Sequence, residues 1–298
     1  MSVPSIATLV SAPHNHVSDA FIKRAAQVLD RAVAITTIDD GKAVDLAFIA
    51  NNALDLRDCR DLLIAVCEPG SCDVIVQPTA HRRKRLFIAD MDSTMIGQEC
   101  IDELADFAGV KAEVSDITER AMNGELAFEP ALIARVALLK GLPLSVIDTV
   151  LANRISINQG AETLVRTMRK QGAITALVSG GFTIFTSPVA FRIGFAINRG
   201  NSLLHENDQL TGAVRMPILG PEAKRRTLIE LSAGGIAMVD TLAVGDGAND
   251  LAMIATAGLG IAYRAKPAVA AAADGRLDYA DLTALLYAQG YVESEFVT

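Results

Sequence analysis

Two aspartates, Asp90 and Asp92, follow the short apolar run Leu86-Phe87-Ile88-Ala89 with no turn between. A run that is apolar at every position lacks the alternation of a half-buried strand and fits one covered on both faces. Such strands belong to parallel sheets, and open α/β folds hold their ligands at the carboxyl ends of those strands. A carboxylate pair at that edge is costly unless a cation neutralises it or one member keeps a proton. The feature therefore calls for an α/β core with chemistry at its edge.

Three more runs, Ile174–Val178, Thr241–Val244 and Gly258–Ala262, are near-continuously apolar and predict further core strands. Helices are predicted over Ala161–Lys170 (closed by Gly172), Pro221–Leu231, Leu251–Ala255 and Pro267–Ala273, and a β-hairpin over 195–217 with a polar turn at Glu206-Asn207-Asp208. Between the first two strands, about 99–158, the sequence turns helical. Ile101, Leu104, Ala105 and Ala108 share one helical face, and Ala131, Arg135, Leu138 and Leu139 lie on overlapping faces of another, broken at Gly141-Leu142-Pro143. A helical insertion directly after the carboxylate-bearing strand is placed to act as a lid.

Ahead of this core, residues 1–82 predict a βαββαβ order. The strands are Ile6–Val10, Ala32–Ile38, Val44–Ile49 and Asp73–Val76, and the helices Asp19–Leu29 and Asp55–Val66. That order implies a ferredoxin-like α+β module, followed by an α/β domain over 83–298. The module resembles the amino-acid-binding ACT type. Its first strand, however, runs into Ser11-Ala12-Pro13-His14 rather than a glycine-rich turn, so packing or homodimerisation is expected of it before ligand sensing.

A net charge of −8 argues against nucleic-acid binding, which needs a basic face. The one basic run, His81-Arg82-Arg83-Lys84-Arg85, reads as a solvated linker. No apolar stretch reaches the roughly 18 residues of a membrane span, and the opening Met1-Ser2-Val3-Pro4-Ser5 has no signal-peptide pattern. Cys59, Cys67, Cys72 and Cys100 lack zinc-type Cys-x-x-Cys spacing, so reduced thiols and a cytoplasmic location are expected.

Each remaining motif has an ordinary explanation by itself. Asp90-x-Asp92 could form a turn or cap, Ser179-Gly180-Gly181 a plain strand-to-helix turn, and Gly245-Asp246-Gly247-Ala248-Asn249-Asp250 a glycine-rich loop. Lys224 early in a helix opposes the helix dipole, a small local penalty. Together, and in this order, the motifs resemble those of the haloacid dehalogenase superfamily over about residues 84–290, and within it the phosphoserine phosphatases. The resemblance implies Asp90 as nucleophile and Asp92 as general acid and base. It implies Mg2+ held by Asp90, the Asp92 carbonyl and Asp246, with Asp250 nearby. Ser179, Gly180 and Lys224 would then hold the phosphoryl group, and Asn249 the polar wall.

In the insertion, Glu99 and Arg135 match the positions that would take the ammonium and carboxylate of O-phospho-L-serine. Met122 and Phe128 match apolar lid positions. The implied reaction is phosphate release from phosphoserine, the last step of serine biosynthesis. A phosphatase for another phosphorylated amino acid, a phosphomutase and a non-catalytic serine-binding regulator stay open as alternatives.

Overall fold

The computed structural model describes residues 2–52, 55–122 and 125–298; the Met122 side chain, part of the expected lid, lies outside the described part. Residues 3–78 form an antiparallel sheet of β1 (Val3–Ser11), β2 (Ala34–Asp39), β3 (Ala43–Ala50) and β4 (Cys72–Pro78). Two helices, α1 (Asp19–Val28) and α2 (Asp55–Val66), pack on it. The Ser18 hydroxyl accepts from the Phe21 N–H and starts α1. Strand order is β2-β3-β1-β4, the expected ferredoxin-like arrangement, with Leu9, Phe21, Leu46, Leu63 and Val74 in its core.

The rest of the chain is built on a six-stranded sheet in which every pair is parallel. Its strands are β5 (Leu86–Ala89), β6 (Ile174–Phe182), β7 (Ile197–Asn201), β10 (Thr241–Gly245), β11 (Leu259–Tyr263) and β12 (Gly275–Leu277), with β8 (Leu203–Glu206) and β9 (Gln209–Val214) forming a separate hairpin. The order is β12-β11-β10-β5-β6-β7. The chain winds outward from β5 to β7, returns, and then winds through β10 to β12 on the other side. That reversal makes β5 the topological switch point, where a crevice opens. Leu86 pairs with Ile174 and Thr241, and Ala89 with Leu177 and Val244. Asp90 just past β5, Asp246 just past β10 and Ser179 at the irregularity in β6 therefore lie along one edge of the sheet.

Alternate residues of β5 feed two cores. Phe87 and Ala89 join Leu177, Leu242, Val244 and Ile261 on one face; Leu86 and Ile88 join Ala176, Val178, Leu228 and Met253 on the other. This two-sided burial is why the run is apolar throughout. The first face also takes the insertion, α3 (Cys100–Ala108), α4 (Lys111–Met122), α5 (Phe128–Ala137) and α6 (Ser145–Asn153), through Leu104, Leu132, Val136, Leu139 and Val150. The flanking helices are α7 (Ala161–Lys170), α8 (Thr183–Ile193), α9 (Pro221–Ser232), α10 (Leu251–Thr256), α11 (Pro267–Ala272) and α12 (Ala284–Ala288).

Two expectations need correction. The hairpin occupies 203–214 rather than 195–217, because Ile197–Asn201 joins the main sheet as its edge strand. The hairpin instead meets the insertion, where Gly141 donates to the Leu210 carbonyl at 2.8 Å. The basic run is also no solvated linker. Arg82 ion-pairs with Asp45 at 2.7 Å and donates to the carbonyls of Tyr287 and Ala288, and the buried Lys84 donates to the Val239 carbonyl at 2.9 Å. From the antiparallel sheet, Asp73 accepts the amides of Asp278, Tyr279 and Ala280. The run is a seam joining the two sheets.

Arg82→Ala takes the charged partner from Asp45, which keeps only the Thr8 hydroxyl, and a donor from the Tyr287 and Ala288 carbonyls, of which Ala288 keeps Gln77. Breaking one side of such a pair costs about 3 kcal/mol. A urea midpoint lowered to match, with no further loss on adding Asp45→Ala, is the expected result.

Candidate functional site

Asp90 stands one residue past β5, with its N–H on the Val244 carbonyl at 3.0 Å. Its Oδ1 accepts from the Met91 N–H at 2.7 Å and pairs with the Lys224 Nζ, also at 2.7 Å. Lys224 reaches this point from the first turn of α9, and its Nζ lies 2.6 Å from Oδ1 of Asp250. The lysine is 1% exposed and Asp250 0%. A buried ammonium is tolerable only with such partners: burial pulls its pKa down, but Asp250 and Asp90 outweigh that and hold it above the ordinary lysine value.

The loop after β10 closes the far side. Asp250 folds back so that its Oδ2 accepts the amides of Asp246 and Gly247 at 3.2 and 3.1 Å. A side chain at Gly245 would collide with the returning carboxyl, which explains that glycine. Asp246 is held by the hydroxyl of Thr94, at 2.8 Å. Carboxylate oxygens of Asp90, Asp246 and Asp250 all lie within 4.8 Å of one another. Burial first, then Asp250, pushes the Asp246 carboxyl up to about 6 and the Asp90 carboxyl well above its usual range. Three crowded, poorly hydrated carboxylates against one ammonium form an all-oxygen set suited to a hard divalent cation.

Asp92 sits in a different setting. After it the chain reverses at Ser93 (φ 55°), and the amides of Thr94, Met95 and Ile96 all return to the Met91 carbonyl. Asp92 Oδ1 accepts the first amide of α3, from Cys100, at 3.4 Å. Burial, followed by the charge of Glu99, raises its pKa to about 7. Glu99 itself accepts from the Ser93 hydroxyl at 2.6 Å; it meets solvent at one side, yet the crowding of protein around it lifts its carboxyl.

On the other flank, Ser179 is buried and its hydroxyl accepts the Gly181 N–H at 2.8 Å, at an irregularity in β6 rather than in a plain turn. Here the expected strand end at Val178 is overtaken, since β6 continues to Phe182. A Cβ on Gly181 would come within 3.0 Å of an Asp92 oxygen, so this segment and the aspartate face each other. Phe128, first residue of α5, covers the segment: a Cβ on Gly180 would stand 3.0 Å from the ring, and one on Gly220 3.5 Å. Arg135 donates to the Thr118 hydroxyl and the Ala131 carbonyl, and burial lowers its pKa against the charges of Asp102 and Glu99. Asn249 is half-buried in the loop with Asp246 and Asp250.

Two residues at this site carried no role in the sequence reading. Thr94 lies inside the first motif yet had none. Asn201 gave no signal at all: it ends β7, far from any motif, and is 3% exposed. Its Nδ2 donates to the carbonyls of Gly180 (2.8 Å) and Leu219 (3.1 Å), and its Oδ1 accepts the Leu219 N–H at 2.7 Å. One side-chain amide therefore ties the Ser179-Gly180 segment to the chain that leads into α9 and Lys224.

With fold and site together, the class follows. The sequence profile of the haloacid dehalogenase-like hydrolases matches residues 87–255, and a second profile of the same description matches 223–288. The chain belongs to this family. It is 44% identical over 234 residues to the phosphoserine phosphatase of Archaeoglobus fulgidus, an alignment covering 78% of this chain and 68% of that protein. Among solved structures, a family hydrolase from Salmonella enterica serovar Typhi superposes with a TM-score of 0.84 at 29% identity, covering 95% of this chain and 97% of that one. A phosphoserine phosphatase structure described as a phospho-aspartyl intermediate analogue is 40% identical, with a TM-score of 0.64, over 69% of this chain and 98% of that one.

Replacing Asn201 by Ala removes the side-chain partner of three part-buried backbone groups at once. Each costs about 1–3 kcal/mol, so a lowered urea midpoint is expected, and Asn201→Asp, which sets a carboxylate against the Gly180 and Leu219 carbonyls, should not restore it.

Proposed function

We infer that this chain is a phosphoserine phosphatase, a phosphoric monoester hydrolase that converts O-phospho-L-serine to L-serine and phosphate, the last step of serine biosynthesis. What most supports the reading is the bridge from Lys224 to Asp90 and Asp250, because it collects a carboxylate nucleophile and a phosphate-binding cation in one dry cleft. The relatedness to phosphoserine phosphatases at about the 40% level points to the same substrate.

A phosphate monoester is an anion with a poor leaving group. It needs charge neutralisation, an in-line nucleophile and a proton for the departing oxygen. Asp90 attacks phosphorus and becomes an acyl phosphate. Lys224, the Ser179 hydroxyl and the Gly180 N–H hold the phosphoryl oxygens, and Asn249 lines the wall beside them. Asp92, titrating near 7, donates a proton to the seryl oxygen and then draws one from the water that releases phosphate. Asp90, the Asp92 carbonyl and Asp246 would hold Mg2+, with Asp250 supporting it from the same cluster. The ion would offset the negative charge gathered there by substrate and carboxylates.

Above the phosphoryl group, Arg135 forks onto the substrate carboxylate and Glu99 takes its ammonium. The ring of Phe128 keeps the closed pocket dry, and Met122 stands at the other lid position that the motif match gives. A homodimer through the N-terminal module belongs to the same proposal, supported by the outer strand β2, whose Ile35 is exposed. A cytoplasmic location is supported by four free cysteines.

The deciding assay is release of inorganic phosphate from a panel of phosphorylated amino acids and sugars, with and without EDTA. Phosphoserine should lead the panel and chelation should stop it. A sugar phosphate in first place would overturn the reading. Asp90→Asn should abolish turnover. Asp92→Asn should slow phosphoserine about 10²–10⁴-fold while leaving activated aryl phosphates far less affected; equal slowing removes Asp92 as the acid.

Arg135→Ala should cut kcat/KM for phosphoserine roughly 10- to 100-fold, the worth of one or two charge-assisted bonds, and spare simple esters. Because Asp246 takes up its proton near 6, protons compete with the metal below that pH. Calorimetric Mg2+ affinity should therefore fall as pH drops through 6; an affinity that does not change over that range excludes Asp246 as a ligand.

A further inference from the structure

The four cysteines do not share one environment. Cys59 and Cys100 are fully buried, whereas Cys67 is half-buried and meets Cys72 just beneath the surface of the N-terminal module. Cys67 follows the last residue of α2 and Cys72 opens β4, with Glu68-Pro69-Gly70-Ser71 turning the chain between them. The turn is closed by the Ser71 N–H and hydroxyl, both on the Glu68 carbonyl, at 3.0 and 2.7 Å, and Gly70 takes a φ of 80° that suits only glycine readily. It brings the two sulfurs to 3.0 Å. A cavity of about 170 Å³ opens onto them, lined also by Asp73, Arg276 and Tyr279.

We propose that Cys67 and Cys72 form a peroxide-responsive dithiol that closes reversibly to a disulfide. Cys67 is the attacking sulfur: it is the more exposed of the two, and its hydrogen-bonded contact with Cys72 lowers its pKa while raising that of Cys72. The Cys67 thiolate attacks one oxygen of hydrogen peroxide and the O–O bond breaks. The leaving hydroxide takes the thiol's proton as water, and Cys67 becomes a sulfenic acid. The Cys72 sulfur then attacks that of Cys67, the S–O bond breaks, and a second water leaves with the Cys72 proton. Two thiols are oxidised and one peroxide is reduced to two waters. Transient disulfides of this kind are the ones a reducing compartment tolerates.

The bond would sit beside the seam. Cys72 directly precedes Asp73, whose carboxylate accepts the amides of Asp278, Tyr279 and Ala280. Closure would therefore fasten the end of α2 to the strand that holds the antiparallel sheet on the parallel one.

The test uses the full chain, treated with hydrogen peroxide, denatured, blocked with N-ethylmaleimide and digested with trypsin. Both cysteines fall in one peptide, 61–82. The expected product is that peptide without maleimide and lighter by two hydrogens, restored to two maleimides by dithiothreitol, with Cys59 and Cys100 labelled throughout. In Cys72→Ser the reaction should stop at a Cys67 sulfenic acid that dimedone captures, absent from the wild type. A wild-type peptide that keeps both maleimides, or that gains oxygen irreversibly, overturns the proposal. So does equal dimedone capture in wild type and variant.

Discussion

One ammonium group organises this protein. Lys224 is buried between Asp90 and Asp250, and each partner comes from a different strand-to-helix junction of the parallel sheet. Burying any of the three alone would be prohibitive, since an unpaired ion out of water costs several kcal/mol. Together they are tolerable, though still short of positive charge once Asp246 is counted. That shortage makes Asp90, Asp246 and Asp250 a set that could hold a cation. The fold serves the arrangement by register: the pairing of β5 with β6 and β10 sets Asp90, Ser179 and Asp246 near one height.

The two carboxyls of the first motif are separated in chemistry by what surrounds them. Asp90 faces Lys224 and the acidic cluster. Asp92 turns away from that cluster toward the first amide of α3 and the charge of Glu99, and its proton leaves only near neutrality. Divergent environments for adjacent acids are what divides nucleophile from proton donor in hydrolases of many folds. The insertion contributes both the Glu99 charge beside Asp92 and the Phe128 ring over Gly180.

Where the sequence was legible, a single local rule dominated. Leu86–Ala89, Ala161–Lys170 and Asp55–Val66 have the boundaries expected of them, because burial on both faces or a clean apolar stripe leaves little choice. The strands it missed are those where tertiary context overrides pattern. Ile197–Asn201 carries Asn198, Arg199 and Asn201, which an edge strand accepts and a central strand would not. Gly275–Leu277 is too short to show any period. The basic run 81–85 misled for a related reason. Charge predicts solvation until carbonyls at the end of α12 and the carboxylate of Asp45 supply partners, and those come from about 200 residues away in one case and the other module in the second. Asn201 was invisible because its work is done on backbone groups, which leave no mark in a sequence.

The central claim is that Asp90 carries phosphorus during turnover, and borohydride trapping tests it most directly. The enzyme is mixed with phosphoserine, quenched in acid, reduced and digested, which converts an aspartyl phosphate to homoserine. The expected result is homoserine at position 90 and at no other aspartate. Homoserine at 246 or 250 instead, or intact aspartate at 90 in enzyme shown to be turning over when quenched, would contradict the account.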